Sequence, residues 1–202
     1  MICALEISFP GNLRRFGTAW LAGPRVLVTA GHNVYDSVLG GWASAIRVSF
    51  GLGTGGGSPV SCDVRGMRSV RGWVENGIAD CDYGMVPLDQ PLGNVLGWFD
   101  SAAVPDEGLR NSDLHLAGCP ADQGVLYHYR CRPEELEPGQ LYFNLPTDRG
   151  ESGSPIWLCP APGSGRVVVG IHARLNGRAS ATRVTDEVAR NIAAWAADPF
   201  AP

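Results

Sequence analysis

The chain has 202 residues, 45% hydrophobic and 18% charged, with a formal net charge of −4. That mild acidity, with no blocks of one sign, points away from nucleic acid and anionic membranes as partners. All 16 basic residues are Arg, which removes a Walker-type phosphate loop, a Schiff-base lysine and a Ser–Lys dyad.

The 27 Gly and 15 Pro exceed average usage of roughly 12%, and this density of turn-formers predicts short strands rather than long helices. In chain order, strands are expected at Arg15–Leu21, Arg25–Thr29, Ala45–Phe50, Val60–Val70, Asp82–Leu88, Asp113–Ala117, Val125–Arg130, Leu141–Leu145, Pro155–Leu158 and Arg166–His172. Each is bounded by Gly, Pro, Asn or Asp. Gly51–Ser58 reads as a hairpin end, because no Lys follows it to make a phosphate cradle. One helix is clear. Thr185 is its N-cap, Asp186 and Glu187 suit its dipole, and Val188, Ala189, Ile192, Trp195 and Ala196 recur on one face.

A composition shift at Val104–Gly108 divides the chain into two β-rich halves, 1–105 and 106–202, each the size of a small barrel. No run approaches the ~18 to 20 apolar residues of a membrane span. Met1–Glu6 lacks the basic and apolar regions of a secretory signal, so the expected location is cytoplasmic, or outside the cell if the chain is a trimmed form. The six cysteines are dispersed and form no CxxC pair. They read as mostly free, partly buried thiols, with a Cys119–Cys131 disulfide left open.

Three segments carry candidate chemistry. Val28-Thr29-Ala30-Gly31-His32 ends a strand on a histidine, Asp82-Tyr83-Gly84 opens a strand on an acid, and Gly150-Glu151-Ser152-Gly153-Ser154-Pro155 sets a serine between glycines. A serine nucleophile needs a base near neutral pKa, and the imidazole needs an acceptor at its other nitrogen. Flanking glycines let backbone N–H groups converge on one point, as an oxyanion hole requires. Asp80 competes with Asp82 for the acid, and Cys81 between them reads as packing. His115 and His128 read as ordinary strand residues. His128 and Cys131 are expected on opposite faces, so no metal site is expected.

These segments, in the order His, Asp, Ser, resemble the triad of chymotrypsin-fold serine proteases. Gly118-Cys119-Pro120-Ala121-Asp122 and Val169-Gly170-Ile171-His172 narrow the likeness to the bacterial glutamyl-endopeptidase, V8-like branch. The resemblance covers roughly Gly17 to Trp195. It implies an all-β fold of two six-stranded antiparallel barrels with a C-terminal helix. The first half would carry His32 as general base and Asp82 as orienting acid. The second would carry Ser152 as nucleophile, with Gly150 and Ser152 as oxyanion-hole donors.

Pro146 stands where a trypsin-like enzyme has its pocket acid, so cleavage after Arg or Lys is not implied. Thr147 and His172 fall where the glutamyl branch binds an acidic side chain, and Arg174 adds positive potential beside them. Glu151 departs from the usual Asn or Asp before the serine; it either pairs with Arg149 or a cationic terminus, or is solvated. The implied function is a serine endopeptidase acting through an acyl-enzyme, without cofactor, on protein or peptide substrates, with Glu or Asp expected before the scissile bond; a regulatory domain or partner is a separate hypothesis. A silent binding module on a protease fold, and an esterase or acyl transferase using the same triad, are the alternatives.

Overall fold

The computed structural model describes residues 1–51, 60–64, 66–121, 125–160, 164–175 and 178–200. The Gly-rich stretch 52–58 and Asp122 lie outside them. In chain order the strands are β1 (Ile2–Phe9), β2 (Leu13–Gly23), β3 (Val26–Thr29), β4 (Tyr35–Asp36), β5 (Gly41–Trp42), β6 (Ala45–Phe50), β7 (Val60–Val64), β8 (Arg68–Ser69) and β9 (Gly84–Pro87). They continue with β10 (Asp100–Ser101), β11 (Leu114–Gly118), β12 (Tyr127–Cys131), β13 (Glu135–Leu136), β14 (Gln140–Phe143), β15 (Pro155–Leu158), β16 (Val167–Leu175) and β17 (Arg178–Arg183).

Two curled antiparallel sheets result. The first runs β7-β6-β1-β2-β3-β9-β8 and the second β12-β11-β15-β16-β17-β14-β13, with β10 added in parallel on β16. Two-residue strands at the margins bring the counts to seven and eight, where six and six were expected. The expected strand Val60–Val70 is two strands, β7 and β8, that sit at opposite ends of the first sheet.

β1 was not foreseen, although its pattern is legible. Cys3, Leu5, Ile7 and Phe9 alternate with more exposed residues and point into the first sheet's core beside Ile46, Val48 and Val86. β17 gave no apolar signal. Its Ala, Ser and Thr residues are buried on both faces, Ala179 and Ala181 in the second sheet's core and Thr182 against the Ala79–Asp82 segment.

Each sheet has its own apolar core, and a third lies between them. This third cluster joins Trp20, Val28 and Met85 of the first sheet to Trp157, Val168 and Ile171 of the second. The helix Asp186–Ala197 closes it with Val188 and Ile192, and Asn191 Nδ2 donates to the Tyr83 hydroxyl at 2.7 Å. Thr185 caps that helix as expected, its hydroxyl accepting from Val188 N at 3.3 Å. All six cysteines are free thiols. Burial pushes Cys119 up to about 11 and Cys131 up to about 12, as befits packing residues.

Replacing Thr185 by Ala removes the cap and should lower unfolding stability by about 1 kcal/mol. A urea midpoint shifted at constant m-value would register it.

Candidate active site

The buried strand β3 delivers the chain to Ala30, whose extended backbone opens the one-turn helix Gly31–Val34 and sets His32 at the seam between the sheets. Asp82 follows the 3-10 turn Ala79–Cys81. Its two carboxylate oxygens are both engaged by His32: Oδ1 accepts from the backbone N–H at 2.8 Å, and Oδ2 from Nδ1 at 2.8 Å. A carboxylate can only accept here, so Nδ1 carries the hydrogen and Nε2 is left as the basic nitrogen of the neutral ring. Thr182 on β17 donates its hydroxyl to the carbonyls of Ala79 and Asp82, each at 3.2 Å, tying the acid's backbone to the second sheet.

Burial is the strongest single influence on His32 and opposes the imidazolium. The charge of Asp82 and its hydrogen bond together outweigh it, so His32 titrates above the ordinary 6.5. Asp80, the competing acid, sits against Gly139 instead. Cys81 packs at the rim of the inter-sheet core, and burial raises its thiol.

Ser152 lines the same cleft as His32 and Asp82, a space of about 420 Å³ whose walls include Trp73, Ala173, Gln140 and Ser180. The Trp73 ring stands edge-on to His32 at 6.4 Å, held by its N–H to the Tyr35 carbonyl at 2.9 Å. Gln140 Nε2 and Ser180 Oγ are buried at this cleft without a hydrogen-bond partner among the described residues. Neither residue drew notice in the sequence. Register is what reveals them: Gln140 pairs with Thr182, and Ser180 lies between Tyr142 and Ala173, so they share one face of the second sheet.

The loop before Ser152 has a defined polarity. Arg149 O accepts from Ala121 N at 2.7 Å, and Glu151 O accepts from Ser154 N at 3.0 Å and Ser154 Oγ at 2.6 Å. In a trans peptide the N–H points away from the carbonyl. With these carbonyls anchored in the protein, the N–H groups of Gly150 and Ser152 face the other way, and neither donates to a carbonyl among the described residues. Gly150 (φ 95°) and Gly153 (φ 92°) supply the left-handed turns this requires. A Cβ on Gly150 would strike Ala121 N, and one on Gly153 would strike Thr18 O.

Glu151 is fully buried, which excludes the solvated alternative. Its Oε2 accepts from Asp148 N at 2.5 Å and lies 3.5 Å from the Tyr129 hydroxyl.

Thr147 and His172 are both buried, and Ala173, the neighbour of His172, lines the cleft that holds Ser152. His172 is also stitched to the nucleophile loop, its carbonyl accepting from Gly153 N at 2.7 Å and its N–H donating to Ser154 O at 2.8 Å. Its Nδ1 donates to Ser180 O at 2.9 Å. The backbone of Arg174 pairs with Ala179, and its side chain lies outside what is described.

His115 and His128 do meet. Their rings stack across β11 and β12 with Nδ1 and Nε2 3.0 Å apart, against Trp157. Among the described residues no three His, Cys, Asp or Glu side chains group as metal ligands. No helix among them is long and apolar enough to cross a membrane.

Two curled antiparallel sheets meeting at His32, Asp82 and Ser152 define the chymotrypsin fold of trypsin-like serine proteases. Fold and sequence likeness together set this chain beside the glutamyl-endopeptidase, V8-like branch of those proteases. No protein-family model matches the chain. It is 30% identical over 192 residues to the glutamyl endopeptidase of Bacillus licheniformis, covering 88% of this chain and 58% of that protein. It is 32% identical over 199 residues to a protein of Bacillus subtilis strain 168 named extracellular metalloprotease, covering 95% of this chain and 62% of that protein. The chain thus spans less than two thirds of the length of these curated relatives.

Among solved structures, a Glu endopeptidase in complex with MPD superposes with a TM-score of 0.80 at 20% identity, over 96% of this chain and 90% of that one. A thermostable serine protease, AL20, from an extremophilic microorganism gives 0.77 at 15% identity, over 98% and 97%. The metal implied by the B. subtilis protein's name finds no fitting donor set among the described residues.

An NMR titration should find the His32 midpoint above 6.5 in the wild type. In Asp82→Asn, where burial is left largely unopposed, the midpoint should fall below that value.

Proposed function

We propose that the protein is a serine endopeptidase that hydrolyses peptide bonds through an acyl-enzyme, with acidic residues preferred before the scissile bond. The observation that carries this reading is the doubly bonded His32–Asp82 pair opening on the cleft that Ser152 lines.

Ser152 Oγ attacks the scissile carbonyl while His32 Nε2 takes its proton. Asp82 keeps the ring in the Nδ1–H tautomer and stabilises the imidazolium that forms. The N–H groups of Gly150 and Ser152 receive the developing oxyanion, a contribution of about 3 to 4 kcal/mol per donor. The imidazolium then protonates the leaving amine, and water, deprotonated by the same ring, releases the acid from the acyl-enzyme.

Thr147 and His172 are the proposed determinants of the acidic preference, and Arg174 is a third. A hydroxyl donor and a chargeable imidazole suit a desolvated carboxylate. The tie between the His172 backbone and the residues after Ser152 supports that role. Protein or peptide chains are the proposed substrates. The likeness to a protein named extracellular favours export over the cytoplasmic location suggested by the first residues.

Cleavage of a mixed peptide library, read by mass spectrometry, tests the reading. The wild type should cut after Glu and Asp, and Ser152→Ala should lose activity by about 10⁴-fold or more. His172→Ala should keep cutting while its preference for acidic residues falls about 10-fold. Hydrolysis surviving in Ser152→Ala would end the serine-protease assignment. Ser152-dependent cuts after other residues would end only the roles of Thr147, His172 and Arg174. Because the neutral imidazole is the working form, kcat/KM should rise with pH through a midpoint above 6.5.

A further inference from the structure

The loop carrying Ser152 belongs to the second sheet, but two of its carbonyls are held by the first. Thr18, fully buried on β2, donates its N–H to Ser152 O at 2.8 Å and its hydroxyl to Gly150 O at 2.8 Å. The same hydroxyl accepts from Cys119 N at 2.9 Å, so its one proton is committed to Gly150. Asn33, the neighbour of His32, adds a second donor to Ser152 O at 2.9 Å. The same Nδ2 donates to Thr29 Oγ1 at 2.8 Å, and Thr29 Oγ1 donates to Thr18 O at 2.7 Å. All three side chains are buried.

A backbone N–H lies in the peptide plane before its residue, and the plane after it fixes the Cα from which that N–H and the side chain depart. For Gly150, the plane before it is pinned by Ala121 N on Arg149 O, and the plane after it by the Thr18 hydroxyl. For Ser152, the plane before it is pinned by Ser154, and the plane after it by Thr18 N and Asn33 Nδ2. In both cases the following plane is held by residues of the half that carries His32.

We propose that Thr18 and Asn33 are positioning residues for the nucleophile loop, fixing the Cα positions from which the Gly150 and Ser152 N–H groups reach the oxyanion and setting Ser152 in register with His32. This rests on the serine-protease reading above. Without the Thr18 hydroxyl, Gly150 O loses its donor and Cys119 N its acceptor in a buried setting. The plane after Gly150 then loses its anchor, the Cα positions of Gly150 and Ser152 are less firmly fixed, and the transition state loses preorganisation while substrate binding is little changed.

The experiment compares Thr18→Val, which keeps the shape and removes the hydroxyl, with Thr18→Ser, which keeps the hydroxyl. Asn33→Ala is the second variant. Each is assayed for kcat and KM on a peptide substrate, for its labelling rate with a fluorophosphonate, and for cooperative thermal unfolding. Thr18→Val should lose about 10- to 100-fold in kcat and in labelling rate, with KM within about 3-fold. Thr18→Ser should return kcat to within about 3-fold of wild type, and Asn33→Ala should show the same kcat-centred loss.

If Thr18→Val does not fold, Asn33→Ala decides alone. Wild-type kcat in the folded variants, or equal losses in Thr18→Val and Thr18→Ser, overturns the proposal while leaving the protease reading intact. A wild type that neither labels nor hydrolyses overturns that reading and this one with it.

Discussion

The seam between the two sheets has to bury apolar side chains and polar backbone together, and the rest of the architecture answers to that requirement. Trp20, Val28, Met85, Trp157 and Ile171 exclude water from it. A carbonyl left dry and unbonded there would cost about 1–3 kcal/mol. The Ser152 loop turns along this seam, so each of its inward carbonyls has to meet a donor. Those donors come from Thr18, Asn33, Ala121 and Ser154. Among the described residues, the N–H groups of Gly150 and Ser152 are left without a carbonyl partner. The polarity of the site is therefore set by satisfying the opposite side of the same peptide planes.

The same economy of contacts governs the His32–Asp82 pair. One carboxylate serves both the backbone and the ring of His32, which fixes the short helix and the imidazole with a single side chain. Thr182 reaches the backbone of that acid from the second sheet, and Thr18 reaches the serine loop from the first. The two halves are thus bonded reciprocally on either side of the cleft, and relative sliding of the sheets would break polar bonds as well as apolar packing.

Much of this was legible in the sequence where a residue's context is itself unusual. His32 after a strand, Asp82 before one and Ser152 among glycines carry their chemistry openly, and the capped C-terminal helix does too. Alternation in Cys3, Leu5, Ile7 and Phe9 was available but lay outside the strands inferred. β17 had no such pattern, since Ala, Ser and Thr buried on both faces look like a loop until their neighbours are known. Thr18 and Asn33 were opaque for a related reason. Their hydrogen bonds span 132 and 119 residues of chain, and nothing local distinguishes them from any other Thr or Asn. Gln140 and Ser180 depend in the same way on the register of β14, β16 and β17. Strand count also escaped, because two-residue strands fall below any periodic signal.

The passage from one sheet to the other bears on how this chain can be divided. Phe99 N donates to Leu21 O in the first sheet, whereas β10 pairs with β16 and Ala102 N reaches Val168 O in the second. Within four residues the connection is sewn to both halves. A chain opened at 105 would leave β10 covalently with the first fragment while its pairing partner stayed in the second. Two-fragment reassembly, or circular permutation with new ends in this region, therefore has its natural opening ahead of Phe99, in the turn Gly93–Leu96. There Val95 is exposed and its N–H bonds locally, to Leu92 O, rather than to either sheet.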